Sequence, residues 1–295
     1  MMKDKIITAL KGFGMGAANV VPGVSGGTVA LLTGIYTDIV DAINSLTEPA
    51  TWKALLKGRF KEFWTLINGS FLLWLAIGVL ASVFSLAKLM TLALHNYPIL
   101  TWAFFFGLIL ASIYYMLRDI KGWKLRDVLL AIGGVLLGVV ICTLSPTQTP
   151  DSMLFIFLCG AIAICTMILP GISGSFILVI LGKYDFIMQA VSELNVPVLL
   201  VFAAGCVVGI LAFAKLLHWL LARYERGTML VLVGFVAGAL VKVWPWADRT
   251  AAFAAQALRG DLSTTLNPQI PGALVCAAAG FALVVILEKL SSSKK

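Results

Sequence analysis

The stretch Asn19-Val-Val-Pro-Gly-Val-Ser-Gly-Gly-Thr28 decides the architecture, because the chain contains a second version of it. Residues 167–176 read Met-Ile-Leu-Pro-Gly-Ile-Ser-Gly-Ser-Phe, and they align with the first copy without a gap at a spacing of 148 residues. Six of the fifteen positions in 22–36 and 170–184 are identical: Pro22/Pro170, Gly23/Gly171, Ser25/Ser173, Gly26/Gly174, Gly34/Gly182 and Tyr36/Tyr184. Because this spacing is about half of the 295 residues, the sequence predicts two related halves, 1–150 and 151–295.

The composition is that of an integral membrane protein. Hydrophobic residues make up 60% of the chain and charged residues only 12%, whereas the charged fraction of soluble domains is about a quarter. The five cysteines lie in apolar segments without a Cys-x-x-Cys pair or a nearby histidine, so we expect no disulfide framework, no metal site and no cofactor. The net charge of +8 is distributed in a way that argues against a nucleic-acid partner.

Six apolar segments are long enough to cross a membrane as helices, and they lie at about 66–94, 98–117, 127–145, 197–222, 227–246 and 271–288. The two motifs lie in segments of a different kind, 5–45 and 152–192, where the Pro-Gly break separates two apolar pieces. Each piece is either a half-helix of a re-entrant hairpin or a full span, and the sequence leaves both open. Irregular backbone at membrane depth is tolerated only where it is buried in protein or lines a wet cavity, so the breaks are expected to point inward.

The basic residues predict the orientation. With the N-terminus in the cytoplasm, sixteen of the 22 Lys and Arg residues fall on the cytoplasmic side, and the outer loops receive only Arg249 and Arg259. This positive-inside pattern predicts a multi-pass protein of the inner, cytoplasmic membrane with both termini in the cytoplasm. Four lysines lie within apolar segments, and two of them, Lys183 and Lys242, are expected at the membrane interface.

Three spans lie between the two motif segments, so the second is expected to enter from the face opposite to the first. At a second spacing of 127 residues, Ala87-Lys88-Leu89 matches Ala214-Lys215-Leu216, Tyr97 matches Tyr224 and Gly107 matches Gly234. The predicted fold is therefore an all-α integral membrane protein, an inverted repeat of about six full transmembrane helices plus two broken helical hairpins, re-entrant in the favoured interpretation. Inverted halves with interrupted helices are typical of secondary transporters whose site lies at the membrane midplane.

The motif itself suits an anion. A Pro-Gly-x-Ser-Gly break followed by a helix offers free backbone N–H groups, a serine hydroxyl and the positive end of a helix dipole, beside glycines that let a ligand approach closely. Two breaks that enter from opposite faces would direct two such sets of donors at one site. A phosphate is an anion that such donors bind well. The alternative is that Ser25 and Ser173 merely cap helices.

Four charged residues are further candidates. Lys88 and Lys215 lie inside long apolar segments, where a charge costs about 2.5–3.5 kcal/mol, so they either face the site as counter-charges or snorkel to the interface. Asp38 and Asp185 follow the two motifs at nearly equal distances, and they either carry a coupling proton or cap a half-helix.

The serine motif also allows an enzyme interpretation, because Gly23-Val-Ser-Gly-Gly27 fits the Gly-x-Ser-x-Gly pattern of a hydrolase. A nucleophilic serine needs a base, and the chain has only His95 and His218, both near the ends of spans. An intramembrane serine hydrolase is therefore the less favoured interpretation, and the protein is expected not to be an enzyme.

These residues resemble the bacterial and archaeal polyprenyl-phosphate transporter family, long known as a membrane family of unknown function. The resemblance covers nearly the whole chain and rests on 19–28, on Leu169-Pro-Gly-Ile-Ser-Gly-Ser175 with Leu181-Gly-Lys-Tyr184, and on the six spans. It implies translocation (flipping) of undecaprenyl phosphate from the outer to the inner leaflet, so that the carrier lipid is reused. It also implies a phosphate path lined by Ser25, Gly26, Gly27, Thr28, Ser173, Gly174 and Ser175. The second copy departs at Ser175 and Phe176, where the first has Gly27 and Thr28.

The chemistry of this substrate leads to two further expectations. The phosphate carries about −1.5 to −2 charges and needs a polar route while the prenyl tail stays in lipid, so we expect a laterally open groove between the halves. Moving the anion inward opposes an inside-negative potential at about 2.3 kcal/mol per charge per 100 mV, which requires a substrate gradient or a co-transported proton or sodium ion. The rival interpretation is an ion-coupled carrier of a small water-soluble anion, which would have an occluded aqueous cavity.

Overall fold

The computed structural model describes residues 2–20, 25–118, 120–145, 149–247 and 269–292, and within these ranges the chain is helical with no strand. The Pro22-Gly23 break and both predicted outer-loop arginines, Arg249 and Arg259, lie outside the described residues. Several helices are long and apolar enough to cross a membrane. The protein is therefore an all-α, multi-pass membrane protein, as the sequence predicts.

Each motif segment forms a long helix followed by a helical hairpin. In the first half, α1 (Met2–Val20) leads to α2 (Gly26–Leu32) and α3 (Tyr36–Asn44), and the chain bends by 114° between the two short helices. In the second half, α9 (Met153–Ile168) leads to α10 (Gly174–Ile180) and α11 (Tyr184–Ser192), with a bend of 112°. A seven-residue helix is about 10 Å long, so α2 and α10 are far too short to cross a hydrocarbon core of about 30 Å alone.

A glycine at the equivalent motif position makes each bend. Gly34 ends α2 with φ +69° and Gly182 ends α10 with φ +63°, a left-handed conformation that glycine adopts without a Cβ penalty. The next residue then donates back into the helix, from Ile35 N to Ala30 O and from Lys183 N to Leu178 O. Gly34 N and Gly182 N also donate, to Leu31 O and Val179 O, and the two bonds at each bend form the Schellman arrangement that ends a helix, which explains why the glycine recurs in both copies.

The predicted spans correspond to long helices. A short 3₁₀ turn (Ser45–Thr47), α4 (Pro49–Leu56) and α5 (Phe60–Leu66) connect the first hairpin to α6 (Gly69–Asn96), α7 (Pro98–Arg118) and α8 (Leu125–Thr143). In the second half, α12 runs over Val196–Val243 and α13 over Ile270–Ser292. The 48-residue α12 contains the predicted span 197–222 and most of 227–246.

Tyr224 divides α12 into two limbs, 196–223 and 225–243, because its backbone is not helical (φ −135°, ψ 41°). The turn between α6 and α7 is built in the same way at Tyr97 (φ −134°, ψ 55°). A threonine hydroxyl closes each turn by donating to a carbonyl eight residues earlier, from Thr101 to Ala93 at 3.1 Å and from Thr228 to Leu220 at 3.2 Å. The two limbs lie side by side, since Leu217 and Leu232 belong to one hydrophobic cluster.

The helices pack closely at glycines, where a Cβ would overlap a backbone carbonyl oxygen of the neighbouring helix. These positions recur at a spacing of 148 between α1 and α9, of 127 between α6 or α7 and the limbs of α12, and of 146 between α8 and α13. Between α1 and α6 the pairs are Gly12/Leu75 and Gly78/Ala9, and between α9 and the first limb of α12 they are Gly160/Phe202 and Gly205/Phe157. Between α7 and α13 they are Gly107/Ala277 and Gly280/Phe104, and between the second limb and α8 they are Gly234/Ala131 and Gly134/Val231. These matched contacts support the division into 1–150 and 151–295, which stays a prediction, as does the inversion of one half relative to the other.

Candidate functional site

Ser25 caps the helix that follows the first motif. Its side-chain oxygen accepts a hydrogen bond from Gly27 N at 3.1 Å, and Asn19 Oδ1 accepts one from Gly26 N at 2.7 Å. Ser25, Gly26, Gly27 and Thr28 are all buried. The backbone N–H groups of Gly26 and Gly27 are thus already satisfied by the protein itself, so the capping function that the sequence left as an alternative is present here.

The two motifs touch each other. The Ser25 hydroxyl donates to the backbone oxygen of Leu169, at 3.2 Å, and Leu169 is the residue immediately before Pro170. Because α9 ends at Ile168, the carbonyl groups there lack donors within the helix, and Ser25 supplies one from the other half. Gly27 lies against the same helix end, since a Cβ on it would be 2.7 Å from Ile168 O.

The second motif is more open than the first. Ser173 caps α10 by accepting from Phe176 N at 3.3 Å, and its hydroxyl oxygen lies 3.1 Å from that of Ser175. Gly174 is buried, but Ser173 is only half-buried and Ser175 is exposed. The two copies therefore present different surfaces, and the difference lies at the position where their sequences depart.

The next motif position holds Thr28 in the first copy, after Gly27, and Phe176 in the second, after Ser175. Thr28 is 2% exposed, and its hydroxyl has no hydrogen-bond partner among the described residues. A buried hydroxyl without a partner costs about 1–3 kcal/mol, so a polar partner at Thr28 would be favourable. In the second copy, Lys242 Nζ lies 4.9 Å from the centre of the Phe176 ring. Lys242, expected only at the interface, is thus a cation beside the second motif.

Three of the four charged candidates have described side chains, and all three are exposed. Lys215 is exposed, and the side chain of Lys88 lies outside the described residues, although its backbone belongs to α6. Asp38 and Asp185 are both exposed and lie in the first turns of α3 and α11, positions where a carboxylate favours the helix dipole. Neither their coupling function nor a binding function of the lysines is tested by these positions.

Each hairpin is tied down by a side chain that the sequence did not single out as a site residue. Lys11 Nζ donates to Thr33 O at 2.7 Å, at the end of α2, and Thr149 Oγ1 donates to the equivalent oxygen of Leu181. Lys183 is 3% exposed and pairs with Asp151, while its place at the membrane interface stays a prediction. The signal for Lys183 was its place directly after the bend glycine.

The histidines are not beside the motif serines. His218 Nδ1 lies 2.7 Å from Asp41 Oδ1, which links α12 to α3, and His95 is exposed near the end of α6. The hydrogen bonds of Ser25 and Ser173 go to backbone groups and to Ser175. Within the described part of the chain, the serine–histidine pair that a hydrolase requires is absent.

An apolar groove leads to the place where the motifs meet. It has a volume of about 510 Å³ and is lined by α8, both limbs of α12 and Leu169. Leu130 comes from the first half, whereas Leu216 and Val231 come from the second. Leu216 is 49% exposed, so the groove has an outward-facing apolar edge.

Over residues 15–259, the chain matches the VCA0040-like family, described as undecaprenyl phosphate translocase-like. The chain belongs to this family. It is 42% identical over 298 residues to the polyprenyl-phosphate transporter of Vibrio cholerae serotype O1, with 96% of each chain covered. It is 33% identical over 264 residues to the polyprenyl-phosphate transporter of Staphylococcus aureus, covering 83% of this chain and 88% of that one. No solved structure was found to match the chain.

Family membership agrees with the resemblance stated from the motifs. Both relatives are named as transporters rather than enzymes, which bears out the expectation that this membrane protein is not an enzyme.

Proposed function

We propose that this protein translocates polyprenyl phosphate, in particular undecaprenyl phosphate, from the outer to the inner leaflet of the cytoplasmic membrane. The observation that carries the proposal is the apolar groove lined by Leu169, the residue whose backbone oxygen accepts the Ser25 hydrogen bond. It joins a surface suited to a hydrocarbon chain to the two motifs suited to a phosphate. The names of the two relatives and the family match support the same substrate.

The groove favours a lipid over a small water-soluble anion. Apart from Arg126, Tyr224 and Thr228 its lining is apolar, including Leu130, Leu216 and Val231. A carrier of a hydrated anion would gain nothing from such a surface, because a polar solute loses its hydrogen bonds to water there. An isoprenoid chain, in contrast, gains about 25 cal/mol for each Å² of apolar surface it buries.

The phosphate would use the hydroxyls of both motifs, but unequally. Ser173 and Ser175 are accessible and form the first contact, together with the backbone N–H groups of the first turn of α10. The first copy, with Ser25, Gly26 and Gly27, holds the helix ends together, and Thr28 offers the unpartnered hydroxyl. Lys88 and Lys215 remain proposed counter-charges for the phosphate.

Alternating access between the two halves would expose this junction to each leaflet in turn. Inward movement of the anion opposes the membrane potential, so we propose coupling to a cation, a proton or sodium, with Asp38 and Asp185 as candidate carriers. Both carboxylates lie at matched places in the two hairpins, which supports a shared function.

Direct binding of undecaprenyl phosphate to the purified protein tests the substrate, with the pyrophosphate form, inorganic phosphate and a neutral prenol as comparisons. We expect tight binding of the monophosphate lipid and weaker binding of the prenol. Binding of inorganic phosphate with equal affinity would instead favour the small-anion carrier. Binding of none of them would mean that the motif breaks are purely structural.

A further inference from the structure

A charged cleft of about 360 Å³ adjoins the apolar groove at Tyr224. Four basic side chains line it together with two acidic ones: Lys124, Arg126, Arg223, Arg226, Asp127 and Glu225. The lining therefore carries a net charge of about +2, which complements the −1.5 to −2 charges of a phosphate monoester.

One of the four cations is committed to holding the cleft together. Arg226 donates to Asp127 Oδ2 at 2.6 Å and to the backbone oxygens of Lys121 and Gly122, at 3.0 and 2.9 Å. Asp127 is buried and also accepts from the backbone N–H of Lys124, at 3.0 Å. These bonds hold the loop before α8 against α12, so this side of the cleft is fixed by hydrogen bonds within the protein.

The remaining three cations are exposed and can meet a ligand, with the Arg223 guanidinium 5.9 Å from the centre of the Tyr224 ring. Lys124, Arg126 and Arg223 are exposed, and no salt bridge involves them among the described residues. Arg223 and Arg126 come from different helices, α12 and α8, and reach the same cleft. Arginine is suited to such a site because its guanidinium binds phosphate oxygens in pairs.

The cleft and the groove are one continuous depression. They share Arg126, Leu130, Tyr224 and Gly227, and the break in α12 at Tyr224 lies where they join. From Tyr224 the groove follows the first limb to Phe213, eleven residues earlier, which is about 16 Å along a helix. That length is about half the thickness of the hydrocarbon core of a bilayer.

The cleft draws on both halves, and its arginines are not repeated at the positions that the sequence repeat relates to them. The glycine contacts relate α8 to α13 and the limbs of α12 to α6 and α7. At these spacings, Gly272 stands in place of Arg126, Asn96 in place of Arg223 and Ile99 in place of Arg226. At these three related positions the sequence carries no basic residue.

We propose that this cleft is a binding site for the head group of polyprenyl phosphate on the basic, cytoplasmic face, with the isoprenoid chain lying in the adjoining groove. Lys124, Arg126 and Arg223 bind the phosphate oxygens, while Arg226 positions the cleft. The site holds the lipid after it has passed the motif junction and before it leaves the protein. The inference rests on the proposed function, since it assigns a second binding site for the same lipid.

A pair of charge-matched variants tests the site. R126Q/R223Q removes two positive charges from the cleft, and K57Q/K61Q removes two from the exposed surface at α4 and α5, on the same predicted side. Binding of undecaprenyl phosphate is measured with the purified protein in discs of neutral phosphatidylcholine. We expect R126Q/R223Q to weaken binding about tenfold or more and K57Q/K61Q to change it less than twofold.

Three further arms keep the test decisive. R126K/R223K retains the charge and should restore most of the binding, which also covers a folding defect of the glutamine variant. Val231→Trp fills the groove without changing charge and should weaken the lipid but not inorganic phosphate. Inorganic phosphate at equal concentration should not displace the lipid.

Equal losses in both double variants would reduce the effect to general electrostatics and overturn the site. Unchanged binding in R126Q/R223Q would overturn it as well. Displacement by inorganic phosphate would make the cleft a site for the free anion. Failure of the unaltered protein to bind the lipid at all would contradict the proposed function itself, and it would leave no lipid site here to assign.

Discussion

At the scale of single residues, one hydroxyl does two tasks. The Ser25 oxygen accepts from Gly27 N and so closes the first turn of α2. The Ser25 hydroxyl also donates a hydrogen bond to Leu169 O in the other half. Ser173 does only the first of these tasks. The same residue type at the same motif position therefore has a structural function in one copy and an accessible hydroxyl in the other.

Replacing Ser25 by alanine should consequently cost more than replacing Ser173. We expect Ser25→Ala to lower the free energy of unfolding by about 2 kcal/mol, because the cap is lost and Leu169 O is left without its donor. Ser173→Ala should cost about 1 kcal/mol, the value of a cap alone. Thermal unfolding of the two purified variants measures the difference. An equal loss in both would contradict the asymmetry of the two copies.

Ser175 tests the ligand function that the sequence assigns to the second copy. It is exposed and caps nothing, so Ser175→Ala should leave the free energy of unfolding within about 0.5 kcal/mol of its original value. Transport of the phosphate lipid should nevertheless fall several-fold, measured in vesicles at equal protein content. Normal transport would remove Ser175 from the phosphate path.

At the scale of helices, the sequence predicted the spans well because long apolar runs define them. It left the path of the motif segments open, and the left-handed Gly34 and Gly182 are what turn α2 and α10 back. The repeated Tyr also proved informative, since Tyr97 and Tyr224 occupy equivalent turns in the two halves. The Ser25–Leu169 bond could not be predicted, because it joins residues 144 positions apart.

Two neighbouring glycines of α8 provide a test of the packing between the halves. A Cβ on Gly134 would overlap Val231 O of α12, whereas one on Gly133 would meet open space. We expect Gly134→Ala to destabilise the protein by about 1–3 kcal/mol through the displaced helix. Gly133→Ala should be neutral or stabilising by up to about 1 kcal/mol, since alanine favours helix. Equal unfolding midpoints for the two variants would contradict this helix contact.

At the scale of the whole molecule, the halves are interlocked rather than merely adjacent. The first hairpin packs on α12 in one cluster, and the second hairpin packs on α8 and α12 in another. The positive-inside count could predict that basic residues gather on one face, but not that four of them line one cleft. That arrangement depends on the break at Tyr224 and on the loop held by Arg226, which are tertiary features.

Coupling to a cation belongs to this scale, because it concerns the free energy of the complete cycle. We expect inward movement of the phosphate lipid in vesicles to slow when the proton gradient is collapsed, or when sodium is removed if sodium is the coupling ion. Asp38→Asn combined with Asp185→Asn should abolish the response to the gradient. Transport that ignores both gradients would contradict cation coupling while leaving the substrate assignment intact.

The most direct test of the account is a translocation measurement in sealed vesicles containing the purified protein in a known orientation. Undecaprenyl phosphate is placed in the leaflet corresponding to the outer face, and its arrival in the other leaflet is followed with a phosphatase confined to that side. We expect the protein to accelerate transfer of the monophosphate lipid but not of the neutral prenol, and we expect the acceleration to be lost in Ser25→Leu with Ser173→Leu. Equal transfer in vesicles with and without protein would contradict it.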